Sequence, residues 1–307
     1  PSSGDNLAAA QSRFPVTSPE EMRGFIFQAG NSNADVRSNL EAVLSAVAAW
    51  GMEFDAVYGD TTITFTRIAE AIGEYERSQV FVNTPWKAYV DGDSNAINEE
   101  AKRGANLFFT SFEEGGANCA SCHTGNFFTD ESFHVLAVPQ IGRGKGDDNG
   151  IKTNDDFGRS RETGDQADKY KFRTPSLLNV EVTGPWGHAG AYTSLQAVVR
   201  HMLNPAQAIA SYDFNQLNPT LQASDMSANA QFALAQLETN RNANVSDVHR
   251  DIVFSDEDVT DLVAFLLTLT DPCVKDRACM SPWIPNAEDS NPDGLRLNAI
   301  DQNGNFL

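Results

Sequence analysis

Cys119, Cys122 and His123, in the run Asn118-Cys119-Ala120-Ser121-Cys122-His123, are the residues whose types and spacing could do chemistry. Two thiols three positions apart, followed at once by an imidazole, make C-x-x-C-H, the spacing of covalent haem attachment. Each thiol adds to one vinyl group of a single porphyrin, and His123 then stands under the iron as proximal ligand. Such covalent capture keeps a redox cofactor from dissociating outside the cell. Two other uses of paired cysteines fit less well. A thioredoxin-like dithiol wants a strand-helix context, whereas this pair follows a helical stretch and runs into Thr124-Gly125. A zinc site wants a second close pair, and Cys273 and Cys279 sit in a proline-flanked turn with five residues between them.

His123 leaves the sixth coordination position of the iron open, and the residue placed there decides between electron transfer and ligand activation. His201 and Met202 are neighbours on a short predicted helix, and a Met thioether would raise the reduction potential relative to a second His. On spacing alone Met202 is more simply core filler, and Met226 and Met280 are weaker candidates still. His134, eleven residues past the motif, reads as a loop histidine, and His249, in a polar segment, as a solvent-facing one.

Positioning these groups falls to helices. The apolar spacing predicts helices over 36–50 and 64–77, the second carrying Phe65, Ile68, Ala69, Ile72 and Tyr75 on one stripe. Another, over 97–109, runs toward the cysteine pair and contains Gly104, which would allow a close helix crossing. A short helix over 195–202 is ended by Pro205. The last starts at Ser255, with Asp258 in the capping-box position, and Asp271-Pro272 stops the chain beyond it. Near the front, Ser18 reads as an N-cap, Pro19 as the first helical residue and Glu21 as the reciprocal capping residue. The polar stretch 142–168 reads as a haem-edge loop. Strand-like alternation is scarce, so the predicted class is mainly α.

The chain has 307 residues, enough for about two domains. Its 41% apolar and 21% charged residues are ordinary for a globular protein. A formal charge of -20 argues against binding nucleic acid or an anionic membrane face, both of which need clustered Lys and Arg. It suits solubility and a basic redox partner. No apolar run is long enough for a transmembrane helix. The start, Pro1-Ser2-Ser3-Gly4-Asp5, has neither the basic nor the apolar region of a signal peptide, which leads us to expect either a mature, processed chain or one whose front has been removed.

Four stretches taken together carry a family resemblance: Cys119-Ala-Ser-Cys-His-Thr-Gly, Phe172-Arg-Thr-Pro-Ser-Leu-Leu-Asn-Val, Thr183-Gly-Pro-Trp-Gly-His-Ala-Gly and Leu195-Gln-Ala-Val-Val-Arg-His-Met. The chain resembles the bacterial di-haem cytochrome c peroxidase and MauG family from Arg13 to about Thr270. The resemblance implies a class I cytochrome c-like haem domain that transfers electrons, preceded by helices of a partial second cytochrome-like domain. It puts the distal ligand at Met202, where the peroxidases have Met and the MauG branch has Tyr. It implies a calcium ion held partly by the backbone carbonyls of Thr183 and Pro185, oxygen donors that suit Ca2+. It matches Glu21 to the carboxylate that moves a proton over the peroxide-binding haem. Its implied partners are a second haem domain or chain, a small electron-donor protein, H2O2 as substrate, and a second copy in a homodimer.

One departure is large. The family has a first C-x-x-C-H and an inter-haem Trp upstream of where this chain starts, and this sequence has one such motif. The expected organisation is therefore 1–95, helices of a peroxidatic-side domain without its haem motif; 96–272, the haem domain; and 273–307, a tail. The second haem would come from residues outside this sequence or from a partner chain. Otherwise the chain is a one-haem electron carrier, with a MauG-like oxidase of a protein substrate as the remaining alternative. Cys273 and Cys279 are spaced to close a small loop after the last helix as a disulfide, which persists in the exported, periplasmic or extracellular setting that covalent haem implies.

Overall fold

Amphipathic stripes and good N-caps make about half of this molecule helical. The computed structural model describes residues 7–19, 21–24, 32–142, 155–221, 223, 225–243, 249–301 and 304–307. Among these, the strands are a single two-stranded antiparallel ribbon, Phe133–Val135 with Lys171–Arg173, in which His134 faces Phe172 across the ladder. The fold class is mainly α. The chain divides into two compact units, one of Pro1–Val80 with Met280–Ile300 and Phe306, the other of Phe81–Cys279 with Asp301–Asn305 and Leu307.

In the first unit, Ser32 caps the helix Asn33–Ser45 in a reciprocal box with Asp35. The helix expected over 36–50 does not run through. Val47 is extended (φ -103°, ψ 104°) and a new helix, Ala48–Tyr58, starts after it. The break lets Leu40 and Leu44 on one side and Trp50 and Phe54 on the other close around Ile63 and Ile68. The predicted stripe reappears on Phe65–Ser78, which buries Phe65, Ile68 and Ala69 but leaves Tyr75 exposed. Gly73 on this helix meets the short helix Leu7–Gln11 so closely that an added Cβ would lie 2.5 Å from the Ala9 nitrogen.

The expected helix start at Ser18 is overturned. Ser18 is the C-cap of a short helix, Arg13–Thr17, and has extended backbone (φ -80°, ψ 125°). The ring of Pro19 disfavours a helical conformation in the residue before it, so the same Ser-Pro pair that reads as a start acts as a stop. Glu21 lies in the exposed turn that follows.

The second unit is built on the crossing of Glu99–Phe109 with Asp256–Leu267. Asn98 and Ser255 cap the two helices, the latter with the expected reciprocal Asp258. At the crossing a Cβ on Gly104 would fall 1.8 Å from the Asp261 carbonyl oxygen, so only glycine permits this approach. Arg103 grips the buried Asp261 carboxylate with two bonds of 2.7 and 2.8 Å. Phe108, Phe128, Phe265, Leu195, Val199 and Leu203 fill the core around it.

Pro205 opens a helix where it was expected only to close one. Leu195–Leu203 ends at Asn204, whose side chain caps Pro205–Ala210. The 17-residue helix Met226–Asn242 has no counterpart in the sequence reading. Met226 is fully buried in its core, as a filler residue should be. Residues 143–154 of the expected haem-edge loop lie outside the described residues.

Candidate haem-attachment site

The cysteine motif sits on one tight 3-10 turn, Cys119–Ser121, entered through Asn118 in the left-handed region (φ 51°). The His123 amide closes the turn on the Cys119 carbonyl at 2.9 Å. The chain then doubles back over the motif. Asp130 N–H donates to the Cys122 carbonyl at 2.7 Å, and Thr129 N–H to that of Thr124 at 2.9 Å. Phe128 makes this return with φ +52°, a conformation uncommon for a bulky side chain and worth about 1–3 kcal/mol of strain. Its reward is the direction of its carbonyl, which lies 3.0 Å from Nδ1 of His123.

That contact decides the state of the ring. A carbonyl only accepts, so Nδ1 carries the hydrogen and the lone pair is on Nε2. Burial holds the imidazole below its usual pKa, against the opposing pull of the Phe128 bond, so it is neutral at neutral pH. A neutral imidazole oriented through its other nitrogen is what an iron ligand requires. Two thiols and this imidazole on one turn, against an aromatic core, fit haem c.

The cysteines differ. Cys119 packs against the core containing Leu195, Val199 and Phe265. Burial, and then its neighbour Cys122, push its thiol up to about 12. Cys122 instead meets polar groups: its Sγ, the Asp130 carboxylate and a ring nitrogen of His134 all lie within 4.8 Å of one another. His134 Nε2 is 2.8 Å from Asp130 Oδ2, and Asp130 Oδ1 accepts from Ser132 N at 2.8 Å. Cys122 first, and Asp130 after it, raise His134 to about 9. Burial works against the Asp130 carboxylate, but bonds from His134 and Ser132 outweigh it and hold its pKa below the usual range. His134 is thus a half-buried partner of the motif, not the free loop histidine expected.

Met202 lies half-buried on Leu195–Leu203, whose Leu195, Val199 and Leu203 share the core that Cys119 joins. His201 beside it is fully buried, with Nε2 2.8 Å from the Leu136 carbonyl and Nδ1 2.8 Å from the Tyr192 hydroxyl. Both nitrogens are engaged, which removes His201 as a ligand in this arrangement. Burial lowers its pKa to about 4. His249 does not face solvent as expected. Its Nε2 donates to the Met202 carbonyl, near the helix end where carbonyls lack intrahelical partners, and Arg241 backs the ring.

Thr183 and Pro185 lie together on an exposed turn. Close by in sequence, His188 stacks on Phe172 with centroids 3.8 Å apart and bonds the buried Asp156 at 3.0 Å. Glu21 belongs to the first unit, the other candidates to the second. Cys273 and Cys279 are joined as a disulfide, their Cα atoms 5.3 Å apart. Asp130, His134, Phe128 and His249 were missed as site residues. Only the four-residue spacing of Asp130 and His134 after the motif could have signalled any of them.

A family model, di-haem cytochrome c peroxidase, matches residues 4–95. Two methylamine utilization proteins MauG are similar in sequence: that of Methylorubrum extorquens is 32% identical over 208 residues (67% of this chain, 51% of the relative). That of Methylophilus methylotrophus is 30% identical over 198 residues (64% and 51%). The chain belongs to the di-haem cytochrome c peroxidase and MauG family. Cytochrome c551 peroxidase of Nitrosomonas europaea, 28% identical over 192 residues (62% and 50%), represents the peroxidase branch among these relatives. The chain spans about half the length of the curated relatives it matches. In fold, this family member is like a MauG-like protein associated with microbial copper homeostasis (TM-score 0.60, 23% identity, 90% of this chain and 72% of that one). It is also like the diheme peroxidase BthA of Burkholderia thailandensis (TM-score 0.53, 22% identity, 94% and 68%). Among the described residues no helix is long and apolar enough to cross a membrane.

Proposed function

We infer that this chain is the electron-relaying part of a di-haem peroxidase-type oxidoreductase, passing electrons toward a second haem where H2O2 is reduced. The observation that carries the reading is His123, neutral, half-buried and held by Phe128 with its lone pair on Nε2, in a chain of this family. A bound haem c would supply one-electron chemistry at its iron. Cys119 and Cys122 would hold it covalently, and His123 and Met202 would ligate its iron, with His201 engaged instead by Tyr192 and Leu136. The core of Phe108, Phe128 and Phe265 backs the attachment turn on its Cys119 and Ala120 side.

The same reading makes Glu21 the proton carrier at the second haem, and the carbonyls of Thr183 and Pro185 ligands of a Ca2+ ion. Segment 1–95 is then the peroxidatic-side remnant, 96–272 the haem domain and 273–307 its tail. The protein works outside the cytoplasm, with the Cys273–Cys279 disulfide intact, and takes electrons from a small donor protein, as a homodimer. The single C-x-x-C-H favours one other reading, an electron carrier with one haem and no peroxide chemistry.

Intact mass with a haem count, joined to H2O2 turnover with a reduced donor, tests this. Two haems per functional particle and turnover are expected. One low-spin haem that ignores peroxide overturns it in favour of the carrier. Replacing Met202 with Ala should abolish the sulfur-to-iron charge-transfer band, and an unchanged spectrum removes Met202 as ligand.

A further inference from the structure

The two cysteines of the motif do not stand in equivalent surroundings, and the difference concerns how the thioether bonds are made. Cys119 is half-buried against apolar groups, with the Ala117 carbonyl 3.9 Å from its sulfur. Cys122 belongs to a set of three, with Asp130 and His134, whose donor atoms lie within 4.8 Å of one another. Among the described residues this is the one trio of its kind. It brings an imidazole already bonded to an acid, His134 Nε2 on Asp130 Oδ2 at 2.8 Å, to within 4.8 Å of a thiol.

The backbone holds the trio in place from both sides. Asp130 is tied to the motif through its own amide on the Cys122 carbonyl, and its Oδ1 is fixed by Ser132. His134 is the middle residue of the strand Phe133–Val135, where it pairs with Phe172. Neither residue follows the motif by chance of loop direction alone: the turn that presents the Phe128 carbonyl to His123 also carries Asp130 to His134.

We propose that Asp130 and His134 promote formation of the Cys122 thioether, acting as a built-in acid/base pair for covalent haem attachment at that cysteine. The inference rests on the haem reading of the motif and adds a division of labour within it. In the proposed step the His134 ring takes the Cys122 thiol proton, and Asp130 stabilises the ring while it holds that proton. As sulfur bonds to the inner carbon of a porphyrin vinyl group, the S–H and the C=C π bond are lost. A C–S bond forms and the proton passes from His134 to the outer vinyl carbon. Thiol and alkene become thioether with no net electron transfer, so no oxidant or reductant is consumed. Cys119 has no such pair and follows second, once the porphyrin is held.

The test is reconstitution of the full, haem-free, reduced chain with ferrous haem under anaerobic conditions and a chelator, since the same three donors would hold Zn2+. Thioether formation at each cysteine is read by alkylating free thiols and mapping peptides by mass. His134→Gln is expected to slow attachment at Cys122 on the order of a hundredfold, within the usual range for a positioned acid/base group, while Cys119 still attaches. The product is then a single-thioether haem with a red-shifted pyridine haemochrome band. Asp130→Asn should give a smaller loss at the same cysteine, and serves if His134→Gln does not fold. Unchanged attachment at Cys122, or equal slowing at both cysteines, overturns the proposal while leaving the haem reading intact. Failure of the unmodified chain to attach haem at either cysteine overturns both.

Discussion

The first unit closes its core on Phe54, Ile63 and Ile68, and leaves Leu7 86%, Met52 65% and Val57 76% exposed. The second buries Phe108, Leu262, Phe265 and Leu269 at 2% or less and crosses two helices at backbone contact. Both are helical and both use well-formed caps. The difference lies in the core and not at the surface, since the second unit also leaves Phe127 63% and Val253 88% exposed: its large central side chains are sealed to 2% or less, whereas Phe54, Ile63 and Ile68 of the first stay at 8%, 7% and 6%.

Glycine substitutions break the comparison most sharply. Gly104→Ala forces a methyl into the Asp261 carbonyl, and it should destabilise the second unit by about 3 kcal/mol or more despite alanine's better helix propensity. Amide hydrogen exchange, followed separately in the two units, reads the loss. The next effect is also confined to the second unit. His201 is held near 4 in the fold by burial, against about 6.5 in the unfolded chain, so between those values the unfolded chain binds the extra proton. Its contribution is whole above about pH 6.5 and is lost as pH falls through about 4, to a total of about 3 kcal/mol. Urea midpoints across that range should fall for the unmodified chain and fall less steeply for His201→Asn. Gly73→Ala would bring its Cβ to 2.5 Å from the Ala9 backbone nitrogen in the first unit, a looser clash than at Gly104, so a loss of about 1–2 kcal/mol is expected by the same exchange measurement. Gly51→Ala completes the series with the opposite sign. Its Cβ would meet Thr61 at an ordinary 3.5 Å within the helix Ala48–Tyr58, so thermal unfolding of the first unit should rise by the equivalent of about 0.5–1 kcal/mol.

What could be read in the sequence followed the range of the interaction. Asp256–Leu267 was legible because Ser255, Asp258 and a stripe of large apolar residues lie within a few turns of one another. Met226–Asn242 was not, because the face it buries is Met226, Asn229, Ala230, Ala233 and Leu237, too small and polar to make a stripe. At Ser18 two local rules competed, and the restriction that Pro19 places on its predecessor won over the capping preference. The Cys-Ala-Ser-Cys-His run is contiguous and so announces itself. The groups around it are set by a reversal of the chain at Phe128, by a strand pairing and by the packing of the Met202 helix, none of which leaves a periodic trace.

The carbonyl of Phe128 has a consequence for the proton inventory of the folded chain. Metal ligands that are protonated when free must release a proton on binding, which makes their affinity fall in acid. His123 enters any such equilibrium already deprotonated at Nε2, through burial, and already committed to one tautomer, through Phe128. Iron capture at this residue therefore releases fewer protons near neutral pH than capture by a free imidazole. Calorimetry in buffers of different ionisation enthalpy should show a weaker buffer dependence for that step than for a free imidazole.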